Sequence, residues 1–126
     1  MAPSFIHLRL HTEFSLVDGI VRIKPLFKRL AELHMPAVAV TEQGNLFSLV
    51  KCYRAAMAAG IKPLIGSDVY LCNQEQPNAP FRLTLLVKNH QGYIALTELI
   101  SRAYQEGQHQ GVPFCRATGW CRIIPA

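Results

Sequence analysis

Three polar side chains near the amino-terminal end have the types and spacing of a metal site. They are His7, Arg9 and His11, and in a strand they project from one face because side chains alternate with a period of two. Imidazoles on one face can share a metal cluster. Arg9 lies between them, and its guanidinium keeps its proton and repels a metal ion. The segment therefore has the outline of a metal site that lacks one ligand.

Four sequence motifs, in one order, resemble those of the PHP (polymerase and histidinol phosphatase) domain of bacterial DNA polymerase III alpha subunits. They are HLRLHTEFSLVDG, MPAVAVTEQGNL, AGIKPLIGSD, and LTLLVKN followed by GY and LTELIS. Together the motifs extend the resemblance from about residue 5 to residue 111. Four motifs in the same order are more specific than any single short pattern.

The resemblance implies which positions held metal in related proteins. Metal-binding members carry histidines at the positions of Arg9 and His11, an acidic residue and a histidine at Glu42 and Gln43, a carboxylate near Asp68, and a histidine near Arg82. Here the potential ligands that remain are His7, His11, Glu42 and Asp68. We therefore predict a vestigial site without metal and without a catalytic residue. We expect Arg9 or Arg82 to pair with Glu42 or Asp68.

An alternative for the two histidines stays open at this point. His7 and His11 can act as structural hydrogen-bonding groups, yet two histidines and two carboxylates are also enough to bind one zinc ion. The four cysteines show no zinc-ligand spacing, which favours free thiols.

Composition sets broader limits on the chain. Half of its 126 residues are apolar, so we expect a core, and no apolar run of about 18 residues or secretory signal is present, so we expect a cytoplasmic protein without membrane contact. The formal net charge is +5. Apart from Lys24, Lys28 and Arg29 the basic residues are dispersed, which is more typical of a solvated surface than of a phosphate-binding patch.

Apolar periodicity predicts alternating strands and helices. We expect strands at residues 5–10, 37–41, 63–71 and 82–88, and helices at 23–34, 45–59 with Asn45 as N-cap, and 89–105 with Asn89 as N-cap. The second helix is expected to bury a stripe that contains Val50, Tyr53 and Met57. This order predicts an α/β fold with mostly parallel strands. The resemblance adds a partial PHP-type distorted β/α barrel, which periodicity cannot distinguish from an open sheet.

The last fifteen residues differ from the rest. Residues 112–126 contain no acidic residue, hold two of the four cysteines and the single tryptophan, and follow neither period for long. We therefore predict an amino-terminal part of a PHP domain over residues 1–111 and a divergent tail over 112–126. A frameshift or gene fragment would produce such an end, and a genuine irregular tail is the alternative.

The function follows from the resemblance. It implies the N-terminal PHP-domain fragment of a replicative DNA-directed DNA polymerase, with the degenerate site as a structural scaffold. Implied partners are the rest of the alpha subunit, the proofreading exonuclease subunit and, through the parent enzyme, DNA. We expect no cofactor for the fragment, magnesium for the parent polymerase, and no activity of the fragment alone. Two alternatives are an active PHP metallophosphoesterase or exonuclease, and a basic nucleic-acid-binding module.

Overall fold

Three helices and five strands lie within residues 5–116, the part of the chain that this computed structural model describes. The helices are α1 (Ile23–Glu32), α2 (Leu49–Ala59) and α3 (His90–Glu106). The strands are β1 (Ala37–Gln43), β2 (Lys62–Leu71), β3 (Phe81–Leu86), β4 (Gln108–His109) and β5 (Val112–Cys115). A short 3-10 helix spans Glu13–Ser15.

Strand β2 is the centre of the sheet. It pairs in parallel with β1 along residues 62–68 and in antiparallel with β3 along 66–71. Strand β5 pairs in parallel with Tyr70 and Leu71 of β2. Because β3 pairs with the other edge of β2 at these two residues, β5 lies on the same edge of β2 as β1. Strand β4 forms an antiparallel pair with β5. The predicted α/β fold with mostly parallel strands is confirmed, and β3 and the short β4 are its antiparallel members.

The helices cover one face of this sheet with apolar side chains. One cluster joins α1, α2 and β1, with Phe27, Val38 and Ala56 as its most buried members. A second cluster joins α3 to β2 and β5 around Val69. The β1–β2 register puts Val38 and Val69 on the same face, because partner positions share a face and positions two apart along a strand do too. The opposite face is therefore free of these helices.

The predicted first strand is wrong. Along residues 5–10 the chain runs beside β1 and makes a single parallel bridge, between His7 and Val38. The Ala39 amide donates to the His7 carbonyl, and the Thr41 amide donates to the Leu10 carbonyl. The two donors are two residues apart, whereas the two acceptors are three residues apart. One extra residue is thus accommodated, and the Leu10 amide bonds the Thr41 hydroxyl at 3.2 Å instead of a strand carbonyl.

The predicted start and buried stripe of the second helix are also wrong. Helix α2 begins at Leu49 after the N-cap Ser48. Its buried residues are the small Cys52 and Ala56, which let α1 pack closely. Val50, Tyr53 and Met57 instead lie on the exposed side, with exposed fractions of 58%, 49% and 60%. Both faces of this helix are apolar enough to be buried, so its periodicity could not select the right one.

The ends of the other two helices have clear local causes. Helix α1 stops two residues earlier than predicted, because His34 adopts a left-handed φ of 53° and the His34 and Met35 amides bond back to the Ala31 and Leu30 carbonyls. Helix α3 begins where predicted. The Asn89 side chain accepts a hydrogen bond from the Gly92 amide at 2.9 Å.

The segment predicted to be irregular after residue 111 begins with a strand. Val112–Cys115 form β5, with Tyr70 opposite Phe114 and Leu71 opposite Cys115. The rest of that tail, residues 117–126, lies outside the described residues. No helix within residues 5–116 is both long and apolar enough to cross a membrane.

Candidate functional site

A row of three side chains crosses β1, β2 and β3 on the face away from the helices. Gln43, Asp68 and Thr84 are direct partners in the strand register, so their side chains lie side by side. Asp68 is buried, with 1% of its surface exposed. The strands thus place one buried carboxylate at the centre of the row.

The Asp68 carboxylate collects three protein donors. Thr84 Oγ1 donates to Oδ1 at 2.5 Å, and Arg9 Nε donates to Oδ2 at 2.5 Å. His11 Nε2 lies 2.6 Å from the same Oδ2. The extra residue in the segment beside β1 brings Arg9 and His11 to this point. Arg9 reaches it from solvent, since 51% of its side chain is exposed.

His11 joins two carboxylates through its two ring nitrogens. Its Nδ1 lies 2.9 Å from Asp18 Oδ2, and its Nε2 faces Asp68. An imidazole that carries a proton on each nitrogen donates to both oxygens. Asp18 lies in the turn before Gly19, and this contact ties that turn to the sheet.

Glu42 lies on the other face of the sheet from Asp68. It is the partner of Ser67 in the register, one position out of phase with the Gln43–Asp68 pair. Its carboxylate is 1% exposed and accepts from the Thr12 amide at 3.0 Å, the Thr12 hydroxyl, and the Ser15 hydroxyl at 2.6 Å. Glu42 therefore fixes the 3-10 helix and takes no part in the Asp68 cluster.

The positions expected to form one site are divided among four places. Arg9, His11, Gln43 and Asp68 come together, with the Gln43 Nε2 donating to the Asp68 backbone carbonyl at 3.3 Å. The His7 ring packs edge-on against Phe5, with centroids 4.8 Å apart.

Arg82 also lies apart from Asp68. It pairs with Tyr70 in the register, and its guanidinium lies 5.6 Å from that ring. Within residues 5–116 it makes no ion pair with Glu42 or Asp68. The β3 side chain that reaches the site is Thr84, two residues further along.

Several functional contacts were missed from the sequence. Thr84 could have been predicted as a site residue, because it lies two residues from Arg82 and therefore on the same face of β3. Thr12, Ser15 and Asp18 all fall within the first motif, but short hydroxyl and carboxyl residues in a turn are common without any such role. No motif indicated that Thr12 and Ser15 face Glu42.

The donor set does not fit a metal cluster. Both oxygens of Asp68 already accept from protein donors, one of which is a guanidinium that never deprotonates. Asp18 and Asp68 lie against different nitrogens of one imidazole, so the three groups do not converge on one point. In the described part of the chain, no group of three or more His, Cys, Asp and Glu side chains could hold a metal ion. The hydrogen bonds to Asp68 instead join the segment beside β1 to strands β2 and β3.

Comparison with protein families gives a match over most of the chain. The model of the PHP domain matches residues 7–119. DNA polymerase III subunit alpha of Pseudomonas aeruginosa is 60% identical over 111 residues, which are 88% of this chain and 10% of that protein. The subunit of Vibrio cholerae is 50% identical over 112 residues, covering 87% of this chain and 10% of that one. The chain spans about a tenth of the length of these relatives.

Solved structures share the fold at low identity. A proposed metal-dependent phosphoesterase from Bifidobacterium adolescentis superposes with a TM-score of 0.57 at 14% identity, covering 85% of this chain and 37% of that one. An amidohydrolase from Chromobacterium violaceum, solved with sulfate and no metal, superposes at 0.56 with 20% identity over 79% of this chain and 36% of that one. These likenesses support the partial barrel.

The sequence motifs, the strand row with its central carboxylate, and the family match over residues 7–119 agree. The chain belongs to the PHP domain family.

Proposed function

We propose that this chain is the PHP-domain part of a replicative DNA polymerase III alpha subunit and that its former metal site now acts as a structural scaffold. The high identity to alpha subunits supports the first part of the proposal. The second part rests on one observation. The Arg9 guanidinium contacts the Asp68 carboxylate, at a position where metal-binding members of the family have a histidine.

The physical role of the scaffold is to join segments that are far apart in sequence. Asp68 on β2 binds Arg9 and His11, which are 59 and 57 residues away, and His11 also binds the turn at Asp18. Glu42 holds the 3-10 helix from the other face of the sheet. The two buried carboxylates thus fix the segment from residue 9 to residue 18 onto the sheet through protein contacts.

The wider assignments belong to the same proposal. The domain packs against the remainder of the alpha subunit and helps to hold the proofreading exonuclease subunit, and it meets DNA through the parent enzyme. The parent polymerase uses magnesium at a catalytic palm that lies outside this chain, and the fragment itself needs no cofactor. We place the protein in the cytoplasm, where DNA replication takes place in bacteria.

The scaffold proposal is tested by comparing two arginine substitutions. Arg29 provides a matched control, because its pair with Glu32 at 3.1 Å lies on the surface of α1 with both side chains about half exposed or more. We expect Arg9→Ala to lower the free energy of unfolding by about 1 kcal/mol, since its partner is buried, and Arg29→Ala by less than about 0.5 kcal/mol. Urea unfolding followed by circular dichroism measures both values. Equal effects of the two substitutions would refute a special role for Arg9.

A further inference from the structure

The surface between α1 and α2 carries an open groove lined by five cationic side chains. Its volume is about 970 Å³. Arg22, Lys24 and Lys28 stand on the α1 side, and Lys51 and Arg54 stand on the α2 side. The groove contains one carboxylate, Glu13. This α1–α2 groove therefore holds five of the thirteen lysines and arginines of the chain, and it brings the dispersed Arg22, Lys51 and Arg54 together with Lys24 and Lys28.

The positive charge of the groove is not neutralised by ion pairs. Among residues 5–116, the lysine and arginine ion pairs involve Arg9, Arg29 and Arg102, none of which lines the groove. All five groove cations are exposed. Like charges brought together on one surface raise the local electrostatic potential and repel one another. An anion bound between them lowers this repulsion.

Two features of the groove position its cations. Lys24 and Lys28 are one turn apart on α1, a rise of about 6 Å, and so point from the same side of the helix. The Lys51 ammonium lies 4.7 Å from the centre of the Phe14 ring, an arrangement that holds it by cation–π attraction. The cations therefore form two facing rows.

The walls of the groove favour a phosphate backbone over an acidic protein segment. Ala55, Ala58 and Ala59 line the α2 side and offer no deep pocket for an aromatic or aliphatic anchor. The Phe27 ring is 2% exposed, and the half-buried Phe14 ring packs against the core with the Lys51 ammonium over its face, so neither ring is free to stack on a base. Exposed lysines and arginines are sufficient to contact phosphates, and such contacts do not depend on the base sequence.

From this geometry we propose that the α1–α2 groove binds the phosphodiester backbone of DNA without sequence preference. The choice of DNA over other polyanions rests on the proposed function as part of a replicative polymerase. The groove lies on the helix side of the sheet, whereas the Asp68 cluster lies on the opposite face. The groove is therefore separate from the Asp68 cluster, while Glu13 and Phe14 of the 3-10 helix that Glu42 holds form part of its wall.

The test compares two double substitutions that change the net charge by the same amount. Lys24→Glu/Lys51→Glu reverses one charge on each side of the groove. Lys62→Glu/Lys88→Glu is the control, since both lysines are exposed and lie outside the groove. Fluorescence anisotropy of the whole chain with labelled duplex and single-stranded DNA of about 20 nucleotides, at salt between about 50 and 200 mM, gives Kd and its salt dependence. Urea unfolding of each variant checks the fold, and Lys24→Gln/Lys51→Gln replaces the groove variant if it does not fold.

We expect the groove substitutions to weaken binding by about 10-fold or more and to lower the slope of log K against log salt by about 2, and the control to change Kd by less than about 3-fold. The measurements with duplex DNA and with single-stranded DNA show which form binds in the groove. Weaker binding of either form by the groove variant supports the proposal. Equal weakening by both double substitutions, or an absence of salt-dependent binding, would overturn it. Displacement of DNA by poly-glutamate at equal or lower charge concentration would also overturn it, in favour of an acidic protein partner. None of these results depends on the unfolding test of Arg9.

Discussion

Replacing Asp68 by alanine is the most informative single perturbation of this domain. The substitution removes the acceptor of Thr84 Oγ1 and Arg9 Nε, each at 2.5 Å, and of His11 Nε2 at 2.6 Å. Three segments lose their common anchor at once: β3, the segment beside β1, and the turn that His11 holds through Asp18. We therefore expect a larger effect than from any single donor.

The size of the effect follows from the exposure of each donor. A hydrogen bond to a charged group contributes about 1.5–3 kcal/mol when it is buried, and the bond from the neutral Thr84 hydroxyl lies at the lower end of this range. The His11 side chain is 12% exposed, so its bond is worth about 2 kcal/mol. Arg9 is half exposed, which reduces its contribution to about 1 kcal/mol, below the roughly 3 kcal/mol expected for a fully buried pair. Since alanine also avoids the cost of burying a carboxylate, we expect a net loss of roughly 3 kcal/mol.

The assay is urea unfolding of the whole chain, followed by far-ultraviolet circular dichroism at neutral pH. Asp18→Ala is the matched control, because Asp18 contacts the other nitrogen of His11 at 2.9 Å but is 44% exposed. We expect the control to lose about 1 kcal/mol or less. A loss for Asp68→Ala no greater than that of Asp18→Ala would refute the reasoning that Asp68 is the anchor.

Two further predictions concern the thiols and one glycine. Burial raises the pKa of Cys52 and Cys115 from 9.0 to about 11, so iodoacetamide at mildly alkaline pH should label the exposed Cys72 and spare both in the folded chain. Unfolded thiols lose their protons first, so stability is complete below about pH 9 and should fall between pH 9 and about 11, and a constant urea midpoint across that range would contradict this. A Cβ added at Gly19 would lie 1.7 Å from the Thr12 carbonyl oxygen, so Gly19→Ala should cost about 2 kcal/mol, and unchanged urea unfolding would show that the turn adapts.

Features set by local sequence were predicted well. The apolar run of β1, the stop of α2 at Gly60 and the Asn89 cap of α3 each depend on residues within one or two turns. Gly60 takes a left-handed φ of 69°, which a helix end often requires.

Features set by the pairing of distant segments were not predictable in the same way. The approach of Arg9 and His11 to Asp68 depends on an extra residue in the segment beside β1, and no periodicity shows it. The choice of Thr84 over Arg82 depends on the register of β3 against β2, which the loop between these strands sets. A shift of two residues keeps the face of a strand and changes the partner.

The candidate site was therefore only partly readable from the sequence. Arg9, His11, Gln43 and Asp68 were recognised by their motifs and do meet. Glu42 was grouped with them, because metal-binding members of the family carry an acidic residue at its position. Adjacent residues of a strand point to opposite faces, and this simple alternation separates Glu42 from the cluster once the β1–β2 register is known.

A measurement of bound metal shows whether protein donors now occupy the Asp68 carboxylate of a former metal site. The purified chain is dialysed with excess zinc or manganese, its metal content is determined by mass spectrometry, and its melting temperature is recorded with and without the ions. We expect no stoichiometric metal and an unchanged melting temperature, because Arg9, His11 and Thr84 already occupy the Asp68 oxygens. One or more ions bound per chain, with a rise in melting temperature, would contradict this expectation.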